Sequence, residues 1–154
     1  MSDTQALNAP GHAVRKSTRD SINMLQNKAI EDYSSLIRLK PYESKSYVSR
    51  GRLFYNLADY NKAYTDFCTA IGFDSLNGEA YSNRASIYGM RQQYDSALTD
   101  LNRALLIDPA MKEALLNRAL LFSNTRAYGK AVADLNNYLQ MAPDNANATD
   151  LSLN

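Results

Sequence analysis

Apolar residues recur along this chain at the spacing of amphipathic helices. Tyr81, Ala85 and Tyr88 follow i, i+4, i+7 spacing, and Ala97 and Leu101 begin a second stripe of the same kind. No stretch sustains the alternation of apolar and polar residues that is typical of strands. The pattern therefore predicts two consecutive helices separated by a short turn.

The helical pattern returns at a fixed period, which equals the interval between Pro109 and Pro143. Pro41 lies two such periods before Pro109. We call a set of positions that are one period apart a column. Four columns hold a single residue type: Ala29, Ala63, Ala97 and Ala131; Asp32, Asp66, Asp100 and Asp134; Arg50, Arg84 and Arg118; and Tyr60, Tyr94 and Tyr128. This regularity indicates a stack of similar helical units, each of which buries its apolar face against its neighbours.

Turn and stop signals divide each unit into two helices. A short polar side chain or a glycine satisfies exposed backbone N–H groups at a helix start, which predicts N-caps at Asn27, Asn61, Asp95 and Gly129. Proline near the end of the second helix stops it, because proline has no N–H and disfavours helical geometry in the preceding residue. Each unit is predicted to be a helix, a tight turn, a second helix and a stop.

These units resemble the tetratricopeptide repeat family, whose repeats are helical hairpins of this length with aromatic and small residues at fixed positions. Residues 78–111 carry the resemblance through Tyr81, Ala85, Tyr88, Tyr94, Ala97, Leu101, Ala104 and Pro109. Residues 112–145 match at most of these positions but place Tyr138 where Ala is usual. Residues 44–77 match too, with Ser75 in place of the proline.

The resemblance implies an all-α, right-handed solenoid of helical hairpins, with about three full repeats and a leading half-repeat. The predicted boundaries are a flexible N-terminal arm at 1–17, a degenerate first repeat at 18–43 with a helix over 28–40, repeats at 44–77, 78–111 and 112–145, and a C-terminal tail at 146–154. The first repeat is degenerate because Lys16, Ser17 and Asp20 stand where its first helix would need apolar residues. Leu151 and Leu153 of the tail either fold back on the last helix or leave its apolar face open.

The arginine and aspartate columns predict ion pairs. Arg84 lies between Asp66 and Asp100, close to half a period from each, and both spacings recur along the chain. We expect each arginine to pair with an aspartate on a second helix, either in its own unit or in the preceding one, because the guanidinium fork suits a carboxylate. In that case we expect Arg84→Leu to be tolerated for folding if the pair makes roughly no net contribution to stability. The alternative is that the arginine column binds an acidic ligand.

The resemblance also implies a binding surface, because the first helices of successive repeats line a concave groove that receives an extended peptide or a helix. The positions that match this groove are Ser49, Arg52, Asn56, Ser82, Asn83, Ser86, Met90, Leu116, Asn117, Leu120 and Asn124. The asparagines offer hydrogen-bond donors and acceptors to a peptide backbone, and Met90, Leu116 and Leu120 offer an apolar floor. Arg52 is the one cation of the set.

Chaperone-binding members of the family grip a C-terminal carboxylate with a clamp of Lys, Asn and Arg residues. Asn83 matches the middle element of that clamp. Val48 and Arg52 stand where its first Lys and Asn belong, and Glu113 and Asn117 stand where its last Lys and Arg belong. We therefore do not expect this chain to bind a chaperone tail.

Composition and charge exclude several other functions. The net charge is +1, and there is one histidine, His12, and one cysteine, Cys68. No glycine-rich phosphate loop, metal-ligand spacing, secretory signal or membrane-length apolar run occurs in the sequence. We predict a cytoplasmic, non-enzymatic adaptor or scaffold that needs no cofactor, binds a protein or peptide partner, and binds neither nucleic acid nor membranes. A self-assembling structural protein that forms homo-oligomers through its terminal faces is the main alternative, and an RNA-associated or enzymatic role is a third.

Overall fold

The computed structural model describes residues 10–141 and contains only α-helices as regular structure within them. The seven helices are α1 (Pro10–Leu39), α2 (Ser44–Asn56), α3 (Tyr60–Phe73), α4 (Gly78–Met90), α5 (Tyr94–Ile107), α6 (Lys112–Asn124) and α7 (Tyr128–Gln140). The all-α helical-hairpin fold predicted from the sequence is confirmed. None of the helices that residues 10–141 form combines the length and the apolar character needed to cross a membrane.

The helices form two compact units, which divide between Ser75 and Leu76. In the first unit, α2 packs against both α1 and α3. In the second unit, α4 and α5 form one hairpin and α6 and α7 form another, and α6 contacts both α4 and α5. Helices α2, α4 and α6 begin at Ser44, Gly78 and Lys112, the first residues of the three proposed repeats.

The first helix differs from its prediction. Residues 10–17, which we expected in a flexible arm, are the start of a continuous helix that runs to Leu39, and the predicted N-cap Asn27 lies inside it. Pro10 suits the first position of a helix because it has no N–H to satisfy. Met24 and Leu25 stand one period before the turn residues Ala58 and Asp59, but the helix continues through them without a turn. The predictions for residues 1–9 and 142–154, including those for Pro143, Leu151 and Leu153, lie outside the described residues.

Each hairpin turn lies two residues earlier than predicted. The N-caps of α3, α5 and α7 are Asp59, Gln93 and Ala127, so the predictions of Asn61, Asp95 and Gly129 are wrong. The cause is the turn, which closes the preceding helix with a residue of left-handed backbone conformation. In the second turn this residue is Gln92, at φ 59°, and the N–H groups of Gln92 and Gln93 donate to the carbonyls of Gly89 and Tyr88 at 3.0 and 2.9 Å.

The left-handed position forms a column, with Ala58 and Arg126 both at φ 61°. Side chains other than glycine are strained in this conformation by roughly 1–2 kcal/mol. We expect Gln92→Gly to raise the free energy of unfolding by about 0.5–1 kcal/mol, because the relief of strain exceeds the added chain entropy. Urea denaturation measures the change. Ser96→Gly, at an exposed position inside α5, is the control and should lower stability instead; a loss of stability in Gln92→Gly contradicts the prediction.

Small residues let the two helices of each hairpin approach closely, and their size matches the opposite side chain. A Cβ atom on Gly51 would lie 2.7 Å from Cε1 of Phe67, which is fully buried. One period later, the corresponding residues Ala85 and Leu101 are both buried, at 2% exposure each. The larger Phe67 therefore requires the smaller Gly51.

Candidate functional site

The arginine column forms forked ion pairs with the aspartate column. Nε and Nη2 of Arg50 donate to the two carboxylate oxygens of Asp66 at 2.8 and 2.7 Å. The same two atoms of Arg84 bind Asp100 at 2.7 and 2.9 Å, and those of Arg118 bind Asp134 at 2.8 and 2.7 Å. The predicted pairing is confirmed, and of the two arrangements left open the structure has the one within a repeat.

Arg50 and Arg118 also reach back to the preceding helix. Nη1 of Arg50 donates to Oγ of Ser34 at 3.1 Å, and Nη1 of Arg118 donates to Oδ1 of Asn102 at 2.8 Å. Each of these acceptors lies 16 residues before its arginine, as each aspartate lies 16 residues after it. The hydrogen bond with Asp66 raises the pKa of Arg50 above its usual value.

The aspartates of these pairs are buried, with only 3–4% of each residue exposed. Aromatic rings further enclose the guanidinium groups; Cζ of Arg84 lies 5.7 Å from the ring centroids of both Tyr81 and Tyr88. An acidic ligand would have to displace an internal carboxylate from each fork. The geometry therefore favours a structural role for the arginine column over the ligand-binding alternative.

The candidate groove residues of the second unit lie on α4 and α6. Asn83 and Asn117 occupy the same column and are half-buried. Nδ2 of Asn117 donates to Oγ of Ser86 at 3.2 Å, which joins the two helices, and Nδ2 of Asn83 donates to the carbonyl of Glu79 at 2.9 Å. Each amide retains hydrogen-bonding capacity, because it has two N–H donors and an oxygen with two lone pairs.

Apolar side chains accompany these amides. Met90 on α4 and Leu120 on α6 are 51% and 63% exposed, Leu116 is half-buried, and Asn124 is exposed. Ser82 is an exception among the predicted groove residues, because only 4% of it is exposed. This burial favours a packing role for Ser82 over direct contact with a ligand.

The remaining candidates lie on α2, in the first unit. Ser49 is half-buried, and Arg52 and Asn56 are exposed. On α2, these three residues occupy the same columns as candidate groove residues of α4 and α6.

The positions of the carboxylate clamp are unsuited to a chaperone tail. Val48, at the position of the first Lys, is 3% exposed and belongs to the apolar core. Glu113, at the position of the last Lys, is exposed in the first turn of α6. A negative charge at this position would repel a carboxylate, and the absence of chaperone-tail binding stays a prediction.

One feature that sequence reasoning missed is an open cleft of about 380 Å³ in the first unit. Its lining residues are Arg50, Phe54, Asn61, Lys62, Thr65 and Asp66. The charges at this cleft are already paired within the protein, since Arg50 binds Asp66 and Nζ of Lys62 lies 2.8 Å from Oδ2 of Asp59. The hydrogen bond with Lys62 lowers the pKa of Asp59. Within the part of the chain that the structure describes, no three His, Cys, Asp or Glu residues are grouped so that they could hold a metal ion.

Comparison with known families places the repeats of this chain in one family. Two family models, both described as tetratricopeptide repeat, match residues 44–75 and residues 85–152. None of the curated protein sequences matches the chain.

Solved structures with the same fold include three that cover most of this chain. The crystal structure of MamA has a TM-score of 0.67 at 18% identity and covers 88% of this chain and 75% of its own. The second tetratricopeptide repeat domain of Spaghetti (RPAP3), bound to the HSP90 peptide SRMEEVD, has a TM-score of 0.62 at 23% identity. It covers 78% of this chain and 97% of its own. The Arabidopsis OM64 tetratricopeptide repeat domain has a TM-score of 0.62 at 28% identity. It covers 66% of this chain and 84% of its own.

Proposed function

Because this chain belongs to the tetratricopeptide repeat family, a family of protein-interaction modules, we propose that it is a non-enzymatic adaptor that binds an extended peptide or a helix on α4 and α6. The observation that carries this proposal is that Asn83 and Asn117 are half-buried amides at the same position of two helices in contact, and that the same helices expose Met90 and Leu120. Such a face combines hydrogen bonds that orient a ligand with apolar contacts that give affinity.

The spacing of the two amides suits an extended backbone. Packed helices lie about 8–10 Å apart, and an extended chain advances roughly 3.3 Å per residue. Asn83 and Asn117 can therefore bind peptide groups that are about three residues apart. Because neither side chain carries a charge, the ligand is selected by its backbone and its apolar side chains. Peptides bound to related domains, such as the HSP90 peptide on Spaghetti, support a peptide as the class of ligand.

A displayed library of random peptides tests this function. Peptides selected on the wild-type protein are expected to bind the Asn83→Ala/Asn117→Ala variant at least about tenfold more weakly, because two hydrogen bonds worth roughly 1 kcal/mol each are lost. Fluorescence polarisation with labelled peptides measures the two dissociation constants. Circular dichroism establishes that the variant is folded, since Asn117→Ala also removes the hydrogen bond to Ser86.

The matched control replaces two exposed asparagines that lie outside the candidate face, Asn23 on α1 and Asn137 on α7. This Asn23→Ala/Asn137→Ala variant should bind the selected peptides as the wild type does. The peptide SRMEEVD should show no saturable binding, because Val48 is buried and Glu113 is negative. Peptides that bind the groove variant and the wild type equally would refute the assignment of this face.

Self-assembly is the second candidate function, and an exposed apolar stripe on α7 supports it. Tyr128, Val132, Leu135 and Leu139 are between 41% and 63% exposed on the last helix that the structure describes. A stripe of this kind is typical of an interface. Light scattering over a range of protein concentrations tests the candidate, and its expected result is an apparent mass that rises with concentration.

A further inference from the structure

Helix α7 exposes residues whose counterparts on α5 are covered. One period before the α7 stripe lie Tyr94, Leu98, Leu101 and Leu105. Of these, Leu101 and Leu105 are 2% and 9% exposed, and Tyr94 and Leu98 are partly buried, in the packing of α5 against α4 and α6. On α7 the corresponding Leu135 and Leu139 are 41% and 63% exposed. The α7 stripe thus repeats an apolar pattern that serves helix packing on α5. On α7, no helix among the described residues covers it.

We propose that this stripe is an interface between two copies of the chain, in which α7 packs antiparallel against α7 of the second copy. The inference rests on the second proposed function, self-assembly, and gives it a defined surface. It is independent of peptide binding on α4 and α6.

The spacing of the stripe makes it complementary to itself. Its four residues are separated by 4, 3 and 4 positions, the spacing of a coiled-coil seam. When two such helices run antiparallel about an axis between Val132 and Leu135, Tyr128 faces Leu139 of the second copy and Val132 faces Leu135 of the second copy. Each layer then joins a leucine to a tyrosine or a valine, and the two copies use the same patch, as a twofold dimer requires.

The charges of α7 are directed away from this seam. Asp134 is bound by Arg118 of its own repeat, and Nζ of Lys130 lies 5.5 Å from the ring centroid of Phe122 on α6. The residues that flank the seam on α7 are uncharged: Gly129, Ala131, Asn136 and Tyr138. A second copy therefore brings no like charge against the first, and interface centres are commonly depleted of charge in this way.

The size of the stripe sets the strength of the dimer. A 13-residue helix is roughly 20 Å long, so one face of α7 buries much less than the roughly 800 Å² per partner of a standard stable interface. The dimer is accordingly weak, with a dissociation constant on the order of 0.1 mM, and it forms only at high protein concentration.

Sedimentation equilibrium of the full chain tests the interface. The wild type should change from monomer to dimer as its concentration rises from about 10 μM to about 1 mM. Val132→Lys and Leu139→Lys place charges in the seam, and each should weaken dimerisation by at least about tenfold. Leu106→Lys is the matched control, because Leu106 is a 73% exposed leucine of α5, outside the stripe. Circular dichroism melts establish that all three variants are folded.

Disulfide crosslinking tests the antiparallel register. Val132→Cys and Leu135→Cys are prepared separately in a Cys68→Ser background, which removes the single native thiol. A mixture of the two proteins, one of them tagged, should form the mixed disulfide at least about threefold faster than either protein alone forms its own dimer. The antiparallel seam opposes positions 132 and 135, whereas a parallel seam opposes each position to itself.

The remaining outcomes overturn the proposal in distinguishable ways. A wild type that stays monomeric at about 1 mM refutes both self-assembly and this interface. Dimers that Val132→Lys and Leu139→Lys leave unchanged refute the interface and leave self-assembly standing. Crosslinking of like positions overturns the antiparallel register. A monomer that dimerises only after removal of residues 145–154 shows that those residues occupy the stripe, and overturns the assignment of a second copy.

Discussion

Replacement of Arg118 by leucine is expected to lower the free energy of unfolding by about 3 kcal/mol, because Asp134 is left buried without its partner. Both oxygens of Asp134 accept hydrogen bonds from Arg118, and only 3% of the aspartate is exposed. The same reasoning predicts a loss of stability in Arg84→Leu, where the sequence alone suggested tolerance, since Asp100 is equally enclosed, at 4% exposure. Urea denaturation followed by circular dichroism measures the loss.

The double variant Arg118→Leu/Asp134→Leu distinguishes the contribution of the ion pair to stability from the cost of leaving one charge buried alone. Removal of both partners leaves no buried charge, so the double variant should recover most of the stability that Arg118→Leu loses. Lys28→Ala is the control, because Lys28 forms a 3.1 Å pair with Asp32 in which both side chains are about two-thirds exposed. That exposed pair should contribute little to stability, because water screens its charges. A loss in Arg118→Leu no larger than that of Lys28→Ala would show that water solvates Asp134.

Gly51→Ala is expected to lower the free energy of unfolding by about 2 kcal/mol, because the added methyl group overlaps a fully buried ring. The new Cβ lies 2.7 Å from Cε1 and 3.0 Å from Cδ1 of Phe67, and Phe67 is 0% exposed. Thermal and urea denaturation measure the effect. Gly72→Ala is the matched control, because it lies on α3 with no atom within 4 Å of its added Cβ; it should leave stability unchanged or raise it slightly.

A second substitution should rescue Gly51→Ala. Phe67→Leu reproduces in the first unit the pairing of Ala85 with Leu101. We therefore expect Gly51→Ala/Phe67→Leu to be more stable than Gly51→Ala alone, although Phe67→Leu by itself leaves a small cavity and lowers stability by about 1 kcal/mol. If the double variant shows the sum of the two losses, the sizes of the two residues are not coupled.

Much of the fold can be predicted from the sequence because its columns record contacts that recur. Arg84 and Asp100 are 16 residues apart in a unit that repeats, so their pairing is visible as two matching columns. Spacing alone leaves open whether the aspartate is in the same repeat. The turns are harder to predict. Gln92 adopts a left-handed conformation that its side chain disfavours, so no turn signal marks its position, and the polar Asp95 suggests an N-cap two residues too late.

The candidate site can be predicted less completely, because a column gives the position of a residue but not how its neighbours enclose it. Ser82 and Asn83 are adjacent in sequence and equally polar, yet Ser82 is 4% exposed and Asn83 is half-buried. The direction of each side chain depends on the packing angle of α4 against α5 and α6, which the period does not specify. The hydrogen bond between Asn117 and Ser86 depends on the same packing and has no sequence signal.

The reach of Arg118 across three helices affects how the second unit loses its structure. Its guanidinium connects Asn102 on α5 with Asp134 on α7, while its own backbone belongs to α6. Stacked hairpins that touch only through apolar surface can fray one at a time from a free end. Here the loss of α7 breaks both hydrogen bonds between Arg118 and Asp134, and the loss of the α6–α7 hairpin also breaks the one to Asn102, so fraying from this end costs polar contacts as well as apolar ones.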